Sequence, residues 1–214
     1  MELWSTFSLS LWIAGCATLL VTLLAVPLAF WFARTRFLGR SLAESLLLVP
    51  LVLPPTVVGY LLVLLLGRQG LGRAAGGSLL FTITGAIIAA AVVALPLVFL
   101  PSKAAFASVD PDLEDLARLF GANSLQIFWH VSLPAARRAI ASGVILAFAR
   151  ALGEFGATMM VLGDIEGRRT LPIAIYTSYI DGDLTHAWPA VLLLSLISLI
   201  AVLAFNRTLL TTPR

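Results

Sequence analysis

Five stretches of this 214-residue chain, 9–33, 45–66, 79–100, 140–162 and 187–205, are long and continuously apolar. Nothing else in the sequence constrains the fold as much. A helix needs about 20 mainly apolar residues to cross the hydrocarbon core of a bilayer, so each stretch reads as a span. Barrel strands would alternate apolar and polar residues over segments of about ten, whereas these runs are continuous and rich in Leu, Ala, Val and Ile. The expectation is an all-α integral membrane protein of about five transmembrane helices, one domain over 1–214. Composition agrees: 60% of residues are hydrophobic, 12% are charged and the mean hydropathy is +1.01, against about 25% charged in soluble domains.

Glu2 is the only early charge and the first run is long enough to span, so the N-terminus is expected to stay rather than leave as a signal peptide. The "IAGC" at 13–16 resembles a lipoprotein cleavage box, but the apolar run continues well beyond Cys16. A single Cys leaves no intrachain disulfide to draw.

Five spans put the termini on opposite sides, and basic residues in short loops mark the cytoplasmic face. One side carries nine, Arg34, Arg36, Arg40, Lys103, Arg118, Arg137, Arg138, Arg207 and Arg214; the other carries four, Arg68, Arg73, Arg168 and Arg169. The N-terminus is therefore expected outside and the C-terminus in the cytoplasm. Topology accounts for the pI near 9.6, and with no basic patch interleaved with aromatics, nucleic acid is not an expected partner. The "NRT" at 206–208 matches a glycosylation sequon but falls at the cytoplasmic end of the last span.

The segment 110–134, "DPDLEDLARLFGANSLQIFWHVSLP", is polar in a greasy chain. Asp110 can cap a helix that Pro111 preorganises, and Asp112, Glu114 and Asp115 suit its N-terminal dipole. Leu113, Leu116, Ala117 and Phe120 share one face, and Gly121 ends the helix. Asn123 or Ser124 can cap a second short helix through Leu125, Phe128 and Trp129 until Pro134. Helices that lie on lipid usually carry Lys and Arg on their polar face, whereas this one is acidic with a single Arg. A cytoplasmic platform for a protein partner is the favoured reading.

The spacing Asp115-Leu116-Ala117, three residues, Gly121, nine residues, Val131-Ser132-Leu133-Pro134 resembles the "EAA" loop of permease subunits of ATP-binding-cassette importers, E-A-A-x3-G-x9-I-x-L-P. Asp115 stands for Glu, Leu116 for the first Ala and Val131 for Ile; Gly121, Leu133 and Pro134 keep the pattern. "PLVLPPTVVGYLL" (50–62), "FARALGEFGATMM" (148–160) and "RTLPIAIYT" (169–177) are similar to the molybdate permeases of bacteria, and tungstate and sulfate permeases share parts of these patterns. The resemblance implies the MetI-like, type I importer fold, with 110–134 as the coupling loop. It also implies a homodimer with a second copy, two cytoplasmic ATP-binding subunits on the loops, and an extracytoplasmic oxyanion-binding protein. ATP would be used by the partner ATPase, and the chain itself would bind no cofactor.

Inside the spans, Arg150 and Glu154 stand out, because an unpaired charge at the bilayer centre costs about 2.5–3.5 kcal/mol on insertion scales. At i and i+4 they can pair. Either they neutralise each other against neighbouring helices, or their face, kept narrow by Gly153 and Gly156, borders the translocation path; the second reading is favoured. Pro50, Pro54 and Pro55 remove donors and obstruct the preceding turn, so the second span is expected to kink or break near its cytoplasmic half. Freed carbonyls are tolerable only where protein or a watery cavity meets them, which puts Thr56 and Gly59 at a close helix contact or the path wall.

A phosphate-binding loop needs G-x4-G-K-[ST], and "GRQGLGR" (67–73) lacks the Lys-Ser/Thr, so no ATPase site is expected here. His130 and His186 are expected on opposite sides of the membrane, which excludes a shared metal, and "DGD" (181–183) is too poor in ligands for calcium. Two rivals of other classes remain: an intramembrane enzyme using Arg150 and Glu154, and a proton-coupled secondary transporter, which would usually be longer and internally repeated.

Overall fold

Small residues decide which helices meet. In the computed structural model, which describes residues 3–68, 70–73 and 77–210, helix α1 (Leu3–Arg34) buries Ser10, Ala14, Ala17, Val21, Ala25 and Ala29 at spacings of three or four. This stripe fits against a matching row on α4 (Ile83–Ala107), including Ala86, Ala90, Ala94 and Val98. The α1–α4 pair is the most extensive in the molecule. Lipid tails are as apolar as Leu, so close packing rather than water exclusion selects helix partners in a membrane, and small side chains permit it. On α4 also lies α7 (Leu133–Leu152), where Gly143 lets the backbones approach: a Cβ there would sit 2.8 Å from the Leu97 carbonyl oxygen and 3.2 Å from Val98 Cα. The last helix, α10 (Leu184–Leu210), packs on α7 and on α9 (Leu171–Ile180). Only 11% of its apolar window is buried, and Leu192, Leu196, Leu199 and Leu203 face outward.

Among the described residues, four helical runs are long and apolar enough to cross a membrane, Leu3–Arg34, Ile83–Ala107, Ser124–Leu152 and Ala187–Thr208. A fifth is reached if α2 (Arg40–Val52) and α3 (Pro55–Leu66) count as one span, bent by 117° between them. The bend falls at Leu53 and Pro54, where Pro54 and Pro55 offer no N–H to continue the ladder. Helix α3 restarts with Pro55 in its first turn, and the Val57 and Val58 N–H groups donate to the Pro54 carbonyl.

The run 140–162 is likewise not one helix. Helix α7 stops at Leu152, and after Gly153, Glu154 and Phe155 a short α8 (Gly156–Leu162) takes over. The Phe81 N–H donates to the Val161 carbonyl at 2.8 Å, which ties the end of α8 to the start of α4. Its companion is α3, the two joined by Val58, Leu62, Ala157 and Val161 in a small second core.

Between the fourth and fifth apolar runs lies α9, which buries Leu171, Ile173 and Ala174. It is pinned to α1 by the Leu171 N–H donating to Ser10 Oγ at 2.7 Å, while Asp164 pairs with Arg169 at 2.5 Å and accepts from Thr177 Oγ1 at 3.1 Å. The second helix of the polar insert does not end at Pro134. Helix α5 (Pro111–Leu119) is followed by α6 (Ser124–Ile127), then one π turn (Phe128–Ser132), then α7 without interruption. The Leu133 N–H reaches back to the Phe128 carbonyl, and this wider turn relieves the clash that a Pro ring makes with the carbonyl four residues earlier.

Because Gly143 sits where two backbones touch, Gly143→Leu is expected to destabilise the α4–α7 contact by about 1–3 kcal/mol, the usual cost of overpacking. Thermal unfolding of the purified protein in detergent should show a clearly lower midpoint, and an unchanged midpoint would contradict this packing.

Candidate functional site

The platform is built from local capping signals upward. Asp110 accepts from the Asp112 N–H at 3.0 Å, Pro111 occupies the first turn, and Gly121 adopts φ +83°, a left-handed conformation that a side chain would strain. The Gly121 and Ala122 N–H groups close α5 on the Arg118 and Ala117 carbonyls at 2.9 and 3.0 Å. Asn123 and Gln126 then form a reciprocal capping box, 2.8 and 2.9 Å.

What holds the platform to the body is Glu114, only 3% exposed. Its Oε1 accepts from Arg34 Nε at 3.1 Å and from Arg34 Nη2, and from Ser132 Oγ at 2.8 Å. One carboxylate thus ties the last turn of α1, the helix α5 and the π turn that leads into α7. Beneath it, Phe30, Phe106 and Phe128 meet edge-on or tilted, with ring centroids 5.0–6.1 Å apart.

Of the charged residues of α5 Glu114 alone turns inward, and Asp112, Asp115 and Arg118 stay exposed, as does the helix's apolar face. Leu113, Leu116, Leu119 and Phe120 are exposed, as are Leu125 and Trp129. Between the two short helices lies a hollow of about 290 Å³ lined by Phe120, Gly121, Ile127, His130 and Val131 among others. Of the residues matched to the EAA pattern, Asp115 is exposed and pairs with Arg118 of its own helix. Leu116, Gly121 and Pro134 are exposed; Ala117, Val131 and Leu133 are half-buried. The carboxylate that anchors the loop is therefore Glu114, one position before Asp115. Sequence reasoning missed Glu114, Arg34 and Ser132 as a unit.

The second candidate region is where the two broken spans meet. A Cβ on Gly156 would lie 2.9 Å from Pro55 Cβ and 3.1 Å from the Thr56 nitrogen, and one on Gly59 would lie 2.9 Å from Ala157 Cα. Both glycines therefore serve the α3–α8 crossing. Pro54, Pro55, Thr56 and Gly153 are exposed beside it, and Pro50 is half-buried within α2. Glu154 is buried, and its Oε1 accepts from the Ala157 N–H at 2.8 Å, capping α8. Its Oε2 lies 2.5 Å from Arg150 Nη1, an ion pair that lacks the alignment of a hydrogen bond. The Arg150 side chain is 33% exposed against 1% for Glu154. The pair thus neutralises the buried carboxylate while presenting one edge of a guanidinium beside the break.

Residues 25–208 match the family described as binding-protein-dependent transport system inner membrane component. The chain is 40% identical over 203 residues to the Bacillus subtilis permease protein YvgM, named for a molybdenum transport system, covering 92% of this chain and 89% of that one. It is 41% identical over 180 residues to the molybdenum transport system permease protein ModB of Escherichia coli K12, covering 81% and 79%. Its fold is similar to that in a bacterial ABC transporter that imports the polysaccharide alginate, TM-score 0.76 at 19% identity, covering 100% of this chain and 81% of that one. The methionine ABC transporter MetNI gives TM-score 0.68 at 17% identity, covering 99% and 94%.

Replacing Glu114 by Ala would leave Arg34 and Ser132 without their acceptor. The cost is expected at about 1–3 kcal/mol, below that of a fully buried pair, because the Arg34 side chain is 24% exposed and can rehydrate. Amide hydrogen exchange should rise across 110–132 while α1 and α4 stay protected; unchanged exchange there would remove Glu114 as the anchor.

Proposed function

The chain belongs to the family of binding-protein-dependent transport system inner membrane components, and from that premise we propose that it carries molybdate inward as the permease subunit of an ATP-driven importer. The cargo is inferred from the names of relatives about 40% identical over most of the chain. ATP coupling is inferred from one observation above the rest: the apolar side chains of α5 and α6 are held outward by a charge pair beneath them. An exposed apolar patch on a polar, acidic segment suits a protein partner better than water or an anionic lipid surface. That partner is a cytoplasmic ATPase subunit, which would hydrolyse the ATP that this chain has no motif to bind.

Two copies would pair around the path, two ATPases would seat on the two platforms, and a loaded extracytoplasmic binding protein would release the oxyanion at the outer mouth. ATP-driven closure of the ATPases moves the platforms together. Through Glu114 the push reaches α1, and through the π turn it reaches α7 directly. Helix α7 carries Arg150 in its last turn and ends at Leu152, before the Gly153–Phe155 break that adjoins the proline break between α2 and α3, so the displacement arrives where the spans are weakest. There the Arg150 guanidinium borders the path and favours a small dianion electrostatically, while selection of the cargo belongs chiefly to the binding protein.

A Gly121→Val variant should strain the left-handed turn by about 1–3 kcal/mol and reduce both co-purification with the ATPase and ATP-dependent molybdate uptake roughly tenfold. Full assembly and uptake would refute the docking role. An Arg150→Ala variant should assemble normally yet take up molybdate more slowly, and wild-type uptake would take Arg150 out of the path.

A further inference from the structure

Helix α3 has two polar side chains in its twelve residues, Thr56 and Tyr60. Four apart, they stand on one line of the helix, about 6 Å from each other along its axis. The far edge is closed: Val58 and Leu62 pack with Ala157 and Val161 of α8 and with Ala89 and Val93 of α4. Both polar residues face the other way, Thr56 exposed and Tyr60 55% exposed. Tyr60 lies six residues after Pro54 and six before Leu66, inside the second apolar run and about 9 Å from either end of the helix. Tyrosines on spans gather at the two interfaces, where the hydroxyl meets water, and a phenol left in hydrocarbon would have no partner for its O–H. The same joint holds Arg150. Its partner Glu154 caps the first turn of α8, and a Cβ on Gly156 in that turn would lie 3.1 Å from the Thr56 nitrogen.

We propose that Tyr60, with Thr56 one turn before it, faces the translocation path and donates its hydroxyl to the oxyanion during passage. The inference rests on the transport reading and adds a specificity-determining side chain to it. Part of the Arg150 charge is spent on Glu154, so a dianion that sheds water at the break needs further donors. Hydroxyls supply them without adding charge, which matters because a path must hold its ion tightly enough to admit it and loosely enough to release it. A second cation in place of Tyr60 would favour entry and trap the cargo. The spacing suits a handover, with Thr56 level with the break and Tyr60 one turn nearer the end of α3 at Leu66.

The test uses the whole importer in proteoliposomes, the permease with its ATPase, supplied with molybdate-loaded binding protein, and follows molybdate uptake and ATP hydrolysis together. Tyr60→Phe keeps the ring and removes only the hydroxyl. Its maximal uptake rate should fall about tenfold, the loss of one hydrogen bond to a charged group. Half-saturation by the binding protein, co-purification of the ATPase and ATP hydrolysis should stay as in wild type. Thr56→Val should slow uptake in the same way, and Thr56→Ser, which keeps the hydroxyl, should not. An unchanged uptake rate in the Phe variant overturns the proposal. Loss of the ATPase or of the pairing of copies in that variant also overturns it and assigns Tyr60 to a contact within the assembly. Wild type that imports no molybdate sinks the transport reading and this inference with it, whereas wild-type uptake beside an undiminished Phe variant leaves transport standing and removes Tyr60 alone.

Discussion

In hydrocarbon, every backbone N–H and carbonyl must find its partner within the protein, and the architecture follows from where this chain disobeys. The helical ladder is interrupted at Leu53–Pro54 and again at Gly153–Phe155. Either break alone would expose unpaired groups to lipid. They survive because they are pressed together, with Gly156 against Pro55 and Gly59 against Ala157, and because Glu154 caps the second restart from its own side chain. The uninterrupted helices α1, α4 and α7 form the frame against which this irregular pair is braced.

On the proposed transport reading, that frame gives a surface segment a route to the interior. The polar insert is fastened at two kinds of joint, a charge cluster at Glu114 and a continuous helix through the π turn. The first joint is directional and can be broken by one substitution; the second is covalent and stiff. Packing of Phe128 on Phe30 and Phe106 fills the space between them, so the insert and the adjoining ends of α1 and α4 behave as one block.

Much of this was legible in the residues. The apolar runs located the spans, the prolines located the first break, and Asp110, Gly121 and Asn123 marked the helix boundaries of the insert through local capping chemistry. What stayed hidden was non-local. Arg34 and Glu114 are 80 residues apart, and nothing in either neighbourhood names the other. The amphipathic pattern of α5 announced two faces but not that one charged residue, Glu114, would be the side chain that meets the body, because a lone carboxylate can be buried when a partner such as Arg34 awaits it. Helix α9 was obscured by its shortness and its charged flanks. The π turn has no sequence signal beyond an awkward Pro134.

Exposed Leu116, Leu119 and Phe120 carry a consequence for how the chain lives before it is assembled. If a partner covers that patch as proposed, a copy inserted without it would present greasy side chains on a hydrated surface, where other unfinished proteins could adhere to them. Covering the patch would then be a matter of proteostasis as well as of transport, and copies made in excess of the partner would be the ones a quality-control protease finds first.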